Sequence, residues 1–188
     1  MKRTFDICMA TLGLVLTAPL LAIISVLIKL DSQGPVIFRQ VRVGQGFRPF
    51  AILKFRTMAV DASGTGLPLT IGQDSRITRI GRILRKCKLD ELPQLWNVLI
   101  GDMSFVGPRP EVPRYVERLR SEFSEVLTVR PGITDLASLR YIDEASILAY
   151  SSNPEEEYQL KVLPEKLRLA KFYIRHMSLR LDLAIIIQ

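Results

Sequence analysis

Hydrophobic positions along the chain form one long run near the start and shorter periodic stretches after it. The run extends from Ile7 to Ile28 without a charged residue. As a straight helix it would measure about 33 Å, enough to cross a hydrocarbon core of about 30 Å. The pattern therefore predicts a membrane-anchoring helix over residues 1–30 and one domain outside the lipid over residues 31–188.

Pro19 lies just past the middle of this run. A proline removes one backbone donor and clashes with the carbonyl four residues earlier, so it bends a helix sharply. Basic residues stand on both sides of the run, Lys2 and Arg3 before it and Lys29 and Arg39 after it, so neither orientation of a spanning helix keeps all of them in the cytoplasm. Two interpretations stay open on these grounds: a re-entrant hairpin broken at Pro19, and a Pro-kinked spanning helix.

The segments VIFRQVRVG and FRPFAILKFRTM are rich in β-forming residues and flank the turn residues Gln45 and Gly46. This arrangement predicts a β-hairpin. In the second strand Lys54 and Arg56 share one face, because side chains alternate along a strand. Residues 62–72 are rich in Gly, Ser and Thr and predict an exposed loop.

From Asp74 onwards the pattern becomes helical, with apolar residues at spacings of three and four and arginines along the other side. Pro93 ends or restarts this helix, and Pro164 and Ser178 are expected breaks near the end of the chain. Further helices are predicted over residues 94–100, 111–127 and 155–187. The predicted fold class is α+β: a mostly helical domain with a β-hairpin, plus the N-terminal Pro-kinked re-entrant membrane helix.

Net charge and composition limit the classes of binding partner that this chain is expected to have. The 26 Lys and Arg exceed the 19 Asp and Glu, which leaves a net charge of +7 beside a mean hydropathy of +0.19. A basic surplus indicates nucleic acid, a phosphorylated substrate or an acidic membrane surface, and the hydropathy favours the membrane. A nucleic-acid partner is not expected, because Trp96 is the only Trp available to interleave with basic residues. Two cysteines exclude a disulfide scaffold, and the single His176 excludes a multi-histidine metal centre.

The stretch RKCKLDELPQLWNVLIGDMSFVGPRP, residues 85–110, carries the candidate chemistry. Asp90 and Glu91 stand at a helix end just before Pro93, where both carboxylates can address one pocket. A carboxylate can attack phosphorus as a nucleophile, or it can hold a magnesium ion. The alternative is that the pair only supplies helix-start charges.

Basic residues surround the carboxylate pair. Arg85 and Lys88 precede it, and Arg109 stands between two prolines that restrict its backbone. An Arg fork held in this way fits phosphate oxygens. Carboxylates, a divalent ion and fixed cations are the ingredients of phosphoryl transfer. The alternative is that these cations only form surface ion pairs with the two carboxylates.

Five motifs together resemble the bacterial sugar transferase family, the monotopic phosphoglycosyl transferases. They are KRTFDICMA, GPVIFRQVRVG, KFRTM, DSRITRIGRILRKCKLDELPQLWNVLIGDMSFVGPRP and RPGIT. The similarity runs from Lys2 to about Asp182, and LDELPQLWNVL with GDMSFVGPRP is its most specific signature.

The resemblance implies transfer of a sugar-1-phosphate from a UDP-sugar to a polyprenol phosphate, with undecaprenyl phosphate as the expected acceptor. Asp90 would be the nucleophile that holds the phosphosugar covalently and releases UMP. Glu91 would assist deprotonation of the acceptor or help to place Mg²⁺, the implied cofactor, for which Asp90 and Glu91 are the implied ligands. Arg85 and Arg109 would bind phosphate.

By the same resemblance Lys54 and Arg56 would line this anionic cleft, and the protein would lie on the cytoplasmic face of the bacterial inner membrane. Its partners would be membrane lipid and the two substrates, with a homodimer in the membrane plane as a further expectation. One departure is Asp135, where the family usually has glycine after PGIT; it adds a negative charge near the phosphate-binding site. The rival hypothesis is a membrane-anchored basic binding or scaffold protein without catalytic turnover.

Overall fold

A computed structural model describes residues 2–59, 74–141, 148 and 150–188 of the chain. The loop predicted at residues 62–72 lies outside the described residues. The helices are α1 Lys2–Asp31, α2 Arg79–Lys86, α3 Gln94–Ile100, α4 Pro113–Arg118, α5 Arg120–Val126, α6 Leu136–Arg140, α7 Pro154–Glu157, α8 Leu163–Arg175 and α9 Leu179–Ile187. The strands are β1 Ile37–Val43, β2 Pro49–Phe55, β3 Ser104–Val106 and β4 Gly132–Thr134. Short 3₁₀ turns cover Gln45–Phe47 and Leu89–Glu91, and a π-helical turn covers Tyr158–Val162.

Helix α1 runs through Pro19 as one element and lies against the rest of the protein near both of its ends. Ala10 is buried in a cluster with Val98 of α3, and Ile28 is buried in a second cluster near the other end. Between these contacts the side chain of Leu16 is 69% exposed. Among the described residues α1 alone has the length and apolar composition to cross a membrane. The re-entrant bend at Pro19 stays a prediction.

Strands β1 and β2 form the predicted hairpin. They pair antiparallel, with Ile37 opposite Phe55 and Val43 opposite Pro49. Gly46 adopts a φ of 66° within the connecting turn, a conformation that glycine reaches without strain. The hairpin prediction is confirmed.

A second sheet, which the sequence analysis did not predict, contains only β3 and β4. The two strands are parallel, with Ser104 opposite Gly132 and Val106 opposite Thr134. Backbone contact here is close enough that a Cβ atom on Gly132 would lie 2.1 Å from the amide nitrogen of Gly107. This sheet fixes the loop after β3, which carries Arg109, beside the residue that follows β4.

The largest hydrophobic core lies among α4, α5, the π-helical turn and α8. Its buried side chains include Tyr115, Phe123, Val126, Tyr158, Val162, Leu163 and Leu167. The predicted break at Ser178 is confirmed, because its side chain accepts a hydrogen bond from the amide of Leu181 to begin α9. The predicted break at Pro164 is wrong: Val162 and Leu163 have right-handed helical angles, and the chain stays helical from the π-helical turn through Pro164 into α8.

Candidate active site

The carboxylate pair lies on a tight turn between α2 and α3. Lys88 adopts a left-handed conformation with a φ of 56°, which ends the preceding helix and redirects the chain. Leu89–Glu91 then forms a 3₁₀ turn, and Pro93 precedes the first residue of α3. The carboxylates of Asp90 and Glu91 therefore lie on a short 3₁₀ turn directly before α3. Adjacent residues on such a turn point in different directions.

Asp90 is buried, with 8% of its surface exposed, and takes part in none of the ion pairs found within the described part of the chain. Burial raises the pKa of Asp90; the cations of Lys54 and Arg85 lower it and the charge of Glu91 raises it, with a net upward shift. An ionised carboxylate with few donors around it keeps its oxygen lone pairs available for an incoming electrophile.

Glu91 is held by two cations. Its Oε1 accepts hydrogen bonds from Lys54 Nζ at 2.7 Å and from Arg109 Nη2 at 2.5 Å, and its Oε2 lies 3.4 Å from Arg109 Nη1. Burial alone would raise the pKa of Glu91, but the charges of Arg109 and Lys54 outweigh it, so the pKa lies well below the usual range. Glu91 is therefore a fixed anion that positions both cations one residue away from Asp90.

Both cations on Glu91 have perturbed pKa values. Lys54 lies on β2, where burial and the neighbouring charge of Arg109 lower its pKa to about 8, against the opposing effect of Glu91. For Arg109, burial acts to lower the pKa and Glu91 more than offsets it, so its pKa is raised and the guanidinium stays charged. Two cations share one carboxylate, which leaves positive charge for substrate phosphates.

Asp135 fixes the backbone that carries Arg109. Its Oδ2 accepts a hydrogen bond from the Arg109 amide at 3.1 Å, and its Oδ1 accepts one from the Ser138 amide at 2.7 Å, which caps α6. The Asp135 backbone is extended, with a φ of −154°. Asp135 thus has a structural role, because both of its carboxylate oxygens accept hydrogen bonds from backbone amides.

The other two predicted phosphate ligands, Arg85 and Arg56, form no ion pair with Glu91 among the described residues. Arg85 Nε donates to Thr57 Oγ1 at 2.9 Å. Arg56 Nη2 donates to the Ser32 carbonyl at 2.7 Å, just beyond the end of α1, while its Nε and Nη1 are buried without a partner among the described residues. The structure thus brings Lys54, Glu91 and Arg109 together beside Asp90 and ties Arg56 to α1. Phosphate binding by Arg56 and Arg85 stays a prediction.

Sequence reasoning missed a supporting network behind the Arg109 loop. Arg42 Nη1 donates to the Pro110 carbonyl at 3.1 Å and lies 3.6 Å from Glu111 Oε2. Tyr158, at the start of the π-helical turn, donates to Glu111 Oε1 at 2.5 Å. The signal that could have found it is the acidic residue directly after GPRP, since a buried Glu needs donors.

A comparison with known proteins assigns the chain to a family. The profile of the bacterial sugar transferase family matches residues 1–188. The chain belongs to the bacterial sugar transferase family.

Three curated relatives show how much of the chain is shared. A "UDP-N-acetylgalactosamine-undecaprenyl-phosphate N-acetylgalactosaminephosphotransferase" of Aeromonas hydrophila is 38% identical over 98% of this chain and 41% of its own length. A "UDP-glucose:undecaprenyl-phosphate glucose-1-phosphate transferase" of Caulobacter vibrioides is 47% identical over 74% of this chain and 53% of its own length. The Klebsiella pneumoniae protein of the same name is 38% identical over 98% and 38%. This sugar transferase chain therefore spans about two fifths to half of these relatives.

The donor set limits how this family member could hold magnesium. The described residues contain no group of three or more His, Cys, Asp or Glu side chains suited to a metal ion. Glu91 has its oxygens taken by Lys54 and Arg109, so Asp90 is the carboxylate that fits. A single carboxylate together with substrate phosphates is a common way for proteins to bind Mg²⁺.

Proposed function

We propose that this protein transfers a sugar-1-phosphate from a UDP-sugar to undecaprenyl phosphate. The observation that carries the proposal is a buried Asp90 that forms no ion pair within the described residues, directly beside a Glu91 that holds two cations, in a member of the bacterial sugar transferase family. The names of the relatives specify two different sugars, N-acetylgalactosamine and glucose. The proposal is therefore made for UDP-sugars as a class.

In the first step an Asp90 carboxylate oxygen attacks the β-phosphorus of the UDP-sugar. A new oxygen–phosphorus bond forms, and the bond from this phosphorus to the oxygen bridging the two phosphates breaks. UMP leaves with the electron pair of that bond, and the sugar phosphate stays on Asp90. Lys54 and Arg109 offset the negative charge of the phosphates, as fixed cations do in phosphoryl transfer.

In the second step a phosphate oxygen of undecaprenyl phosphate attacks the same phosphorus. The bond to Asp90 breaks and the carboxylate is restored, so the product is a sugar linked through a diphosphate to the lipid. The acceptor dianion needs no base. A monoanionic acceptor would give its proton to Glu91, whose basicity rises when Lys54 or Arg109 turns to the substrate.

We also propose that Mg²⁺ assists the reaction, with Asp90 and the donor diphosphate as its ligands. When bound, the ion would neutralise phosphate charge and orient the diphosphate. Glu91 would serve as the anchor for Lys54 and Arg109 and not as a metal ligand.

For the membrane, we propose that α1 is re-entrant and that the protein acts from the cytoplasmic face. Near one end Lys2 Nζ lies 2.5 Å from Asp182 of α9, and at the other Asp31 accepts a hydrogen bond from the Ile80 amide of α2. Both ends thus contact the same domain, whereas one end of a spanning helix would lie about 30 Å away across the bilayer. The bend is supported by Pro19 and by Thr17, whose hydroxyl bonds to the carbonyl four residues earlier.

Cysteine labelling tests this topology. Thr4→Cys and Gln33→Cys, at exposed positions near the two ends of α1, are made separately in a background where the exposed Cys8 and Cys87 are serine. Both should react with an impermeant maleimide only from the cytoplasmic side. Labelling of Thr4→Cys from outside would instead show a spanning helix. A homodimer stays a prediction, tested by crosslinking in the same membranes.

The catalytic proposal is tested with purified protein, Mg²⁺ and UDP-sugars labelled with ³²P at the β-phosphate. Without acceptor, the protein should retain label and release a single round of UMP; undecaprenyl phosphate should then remove the label. A membrane-anchored scaffold would release no UMP with any sugar in the panel. A panel of UDP-sugars in the same assay would identify the donor.

A further inference from the structure

Gln94 is a buried polar residue whose side chain forms no hydrogen bond within the described part of the chain. It is the first residue of α3, three positions after Glu91 and four after Asp90, and its side chain is 1% exposed. Neither its Oε1 nor its Nε2 has a hydrogen-bond partner among the described residues. A buried amide left unpaired is costly, so such a group needs a specific explanation.

Asn97, three residues further along α3, is a buried amide with a structural role and serves as a comparison for Gln94. It is also 1% exposed, but its Oδ1 accepts from the Leu53 amide at 3.0 Å and its Nδ2 donates to the Ala51 carbonyl at 2.8 Å. Asn97 therefore ties α3 to β2. Gln94 is equally buried, but its side chain forms no hydrogen bond to any other element in the described chain.

The backbone directs Gln94 toward the carboxylate turn. Leu92 and Pro93 both have right-handed helical angles, so the chain stays helical from the 3₁₀ turn into α3. Positions three apart share a face in a 3₁₀ helix and positions four apart share one in an α-helix, and helical side chains lean toward the N-terminus. By these rules Gln94 lies on the helix face that continues from Asp90 and Glu91, and its side chain is expected to lean toward their turn.

We infer that Gln94 binds the phosphoryl group that Asp90 accepts, with Nε2 donating to a non-bridging phosphate oxygen. This inference rests on the proposed phosphosugar transfer. Lys54 and Arg109 are both placed on Glu91, so a donor on the α3 side of Asp90 would complement them. A fixed neutral donor beside the reacting phosphorus acts as an oxyanion-hole group does, by stabilising charge that develops in the transition state.

The test is Gln94→Met, which keeps the length and volume of the side chain and removes both hydrogen-bonding atoms. Because Gln94 has no partner in the described chain, the variant should unfold at the same temperature as wild type or a higher one. UMP release at saturating UDP-sugar should fall about 10²- to 10³-fold, the range for loss of one oxyanion-hole donor. KM should change much less, since the bond matters mainly in the transition state. Gln159→Met, at a partly exposed position on the π-helical turn, is the matched control and should keep wild-type kinetics.

The outcomes separate this inference from the proposed function. If wild-type protein retains no ³²P from the labelled donor, the proposed function fails. If wild type is labelled and Gln94→Met turns over within about threefold of it, the inference is overturned, because a lost oxyanion-hole donor costs far more. A Gln94→Met protein that unfolds at a clearly lower temperature would also overturn it, since the amide would then have a structural partner such as a buried water. A kcat loss at an unchanged unfolding temperature supports it.

Discussion

Buried carboxylates occur in two regions of this protein, and the two regions differ in the hydrogen-bond donors and cations that contact them. Where α1 meets β3 and α9, Asp6 accepts hydrogen bonds from Ser104 Oγ at 2.9 Å and from the Phe105 amide at 3.2 Å. Asp182 in the same region accepts from Lys2 Nζ at 2.5 Å and from Tyr173 OH at 2.6 Å. In the turn before α3, Asp90 is also buried but belongs to no ion pair within the described residues.

This difference in contacts distinguishes Asp6 and Asp182, which stabilise the fold, from Asp90, the proposed nucleophile. A buried carboxylate with good donors on both oxygens stabilises the contact between elements and is a weak nucleophile. A buried carboxylate without them costs stability and keeps its reactivity, which is the usual signature of a functional site. Lys54 and Arg109, two cations beside this turn, instead form ion pairs with Glu91.

The largest effect is expected from Asp90→Asn. The amide cannot act as the nucleophile, so UMP release should fall by about 10⁴-fold, in the range seen when one member of a catalytic group is removed. The covalent ³²P label should disappear. The unfolding temperature should stay the same or rise, because a buried group with a desolvated charge has been made neutral. If Asp90→Asn turned over near the wild-type rate, Asp90 would not be the nucleophile, and the proposed difference between the two regions would be wrong.

The opposite result is expected from Asp182→Ala. This change leaves the Lys2 ammonium and the Tyr173 hydroxyl without their shared acceptor, so the free energy of unfolding should fall by about 3 kcal/mol. Activity per folded molecule, measured well below the unfolding temperature, should stay within about threefold of wild type. Denaturant unfolding in detergent provides the measurement. An unchanged stability combined with lost activity would contradict the structural role.

Lys54→Met tests how much of the catalytic effect depends on the cation pair. Removing one of the two cations on Glu91 should slow UMP release by about 10- to 100-fold, because Arg109 keeps the remaining charge in place. Lys54→Arg restores the charge and should recover part of the rate. Equal loss in both variants would show that side-chain shape matters here and charge does not.

The smallest effect is the dependence of activity on pH. Asp90 must be ionised to attack, and because its pKa is raised, activity should fall on the acid side at a higher pH than for an ordinary aspartate. Lys54 must be charged to hold phosphate, and its pKa of about 8 predicts an alkaline limb there, with activity falling as the pH rises through that value. In Lys54→Arg the alkaline limb should move to higher pH, since arginine stays protonated. A profile that is flat up to pH 10 would exclude Lys54 as the titrating group.

Local elements of the fold were predictable because neighbouring residues decide them. Helix α3 ends at Gly101, which takes the left-handed φ of 99° that glycine favours, and Ser178 begins α9 as a cap. The β3–β4 sheet was not predictable, because each strand has only three residues and its partner lies far away in the chain. The position of Arg56 was missed for a related reason. The Arg56 guanidinium donates to the carbonyl of Ser32, just beyond the end of α1, and this contact joins segments that lie far apart in the chain.

The sequence by itself determined the family, the apolar N-terminal helix and the identity of the residues at the site, because motif chemistry and hydrophobic patterning are local properties. Only the tertiary structure decided which carboxylate receives the cations. Lys54 comes from β2 and Arg109 from the loop after β3, and both meet Glu91 and not its neighbour Asp90. The directions of two adjacent side chains depend on how their short turn packs against distant segments, and that packing cannot be deduced from their order in the chain.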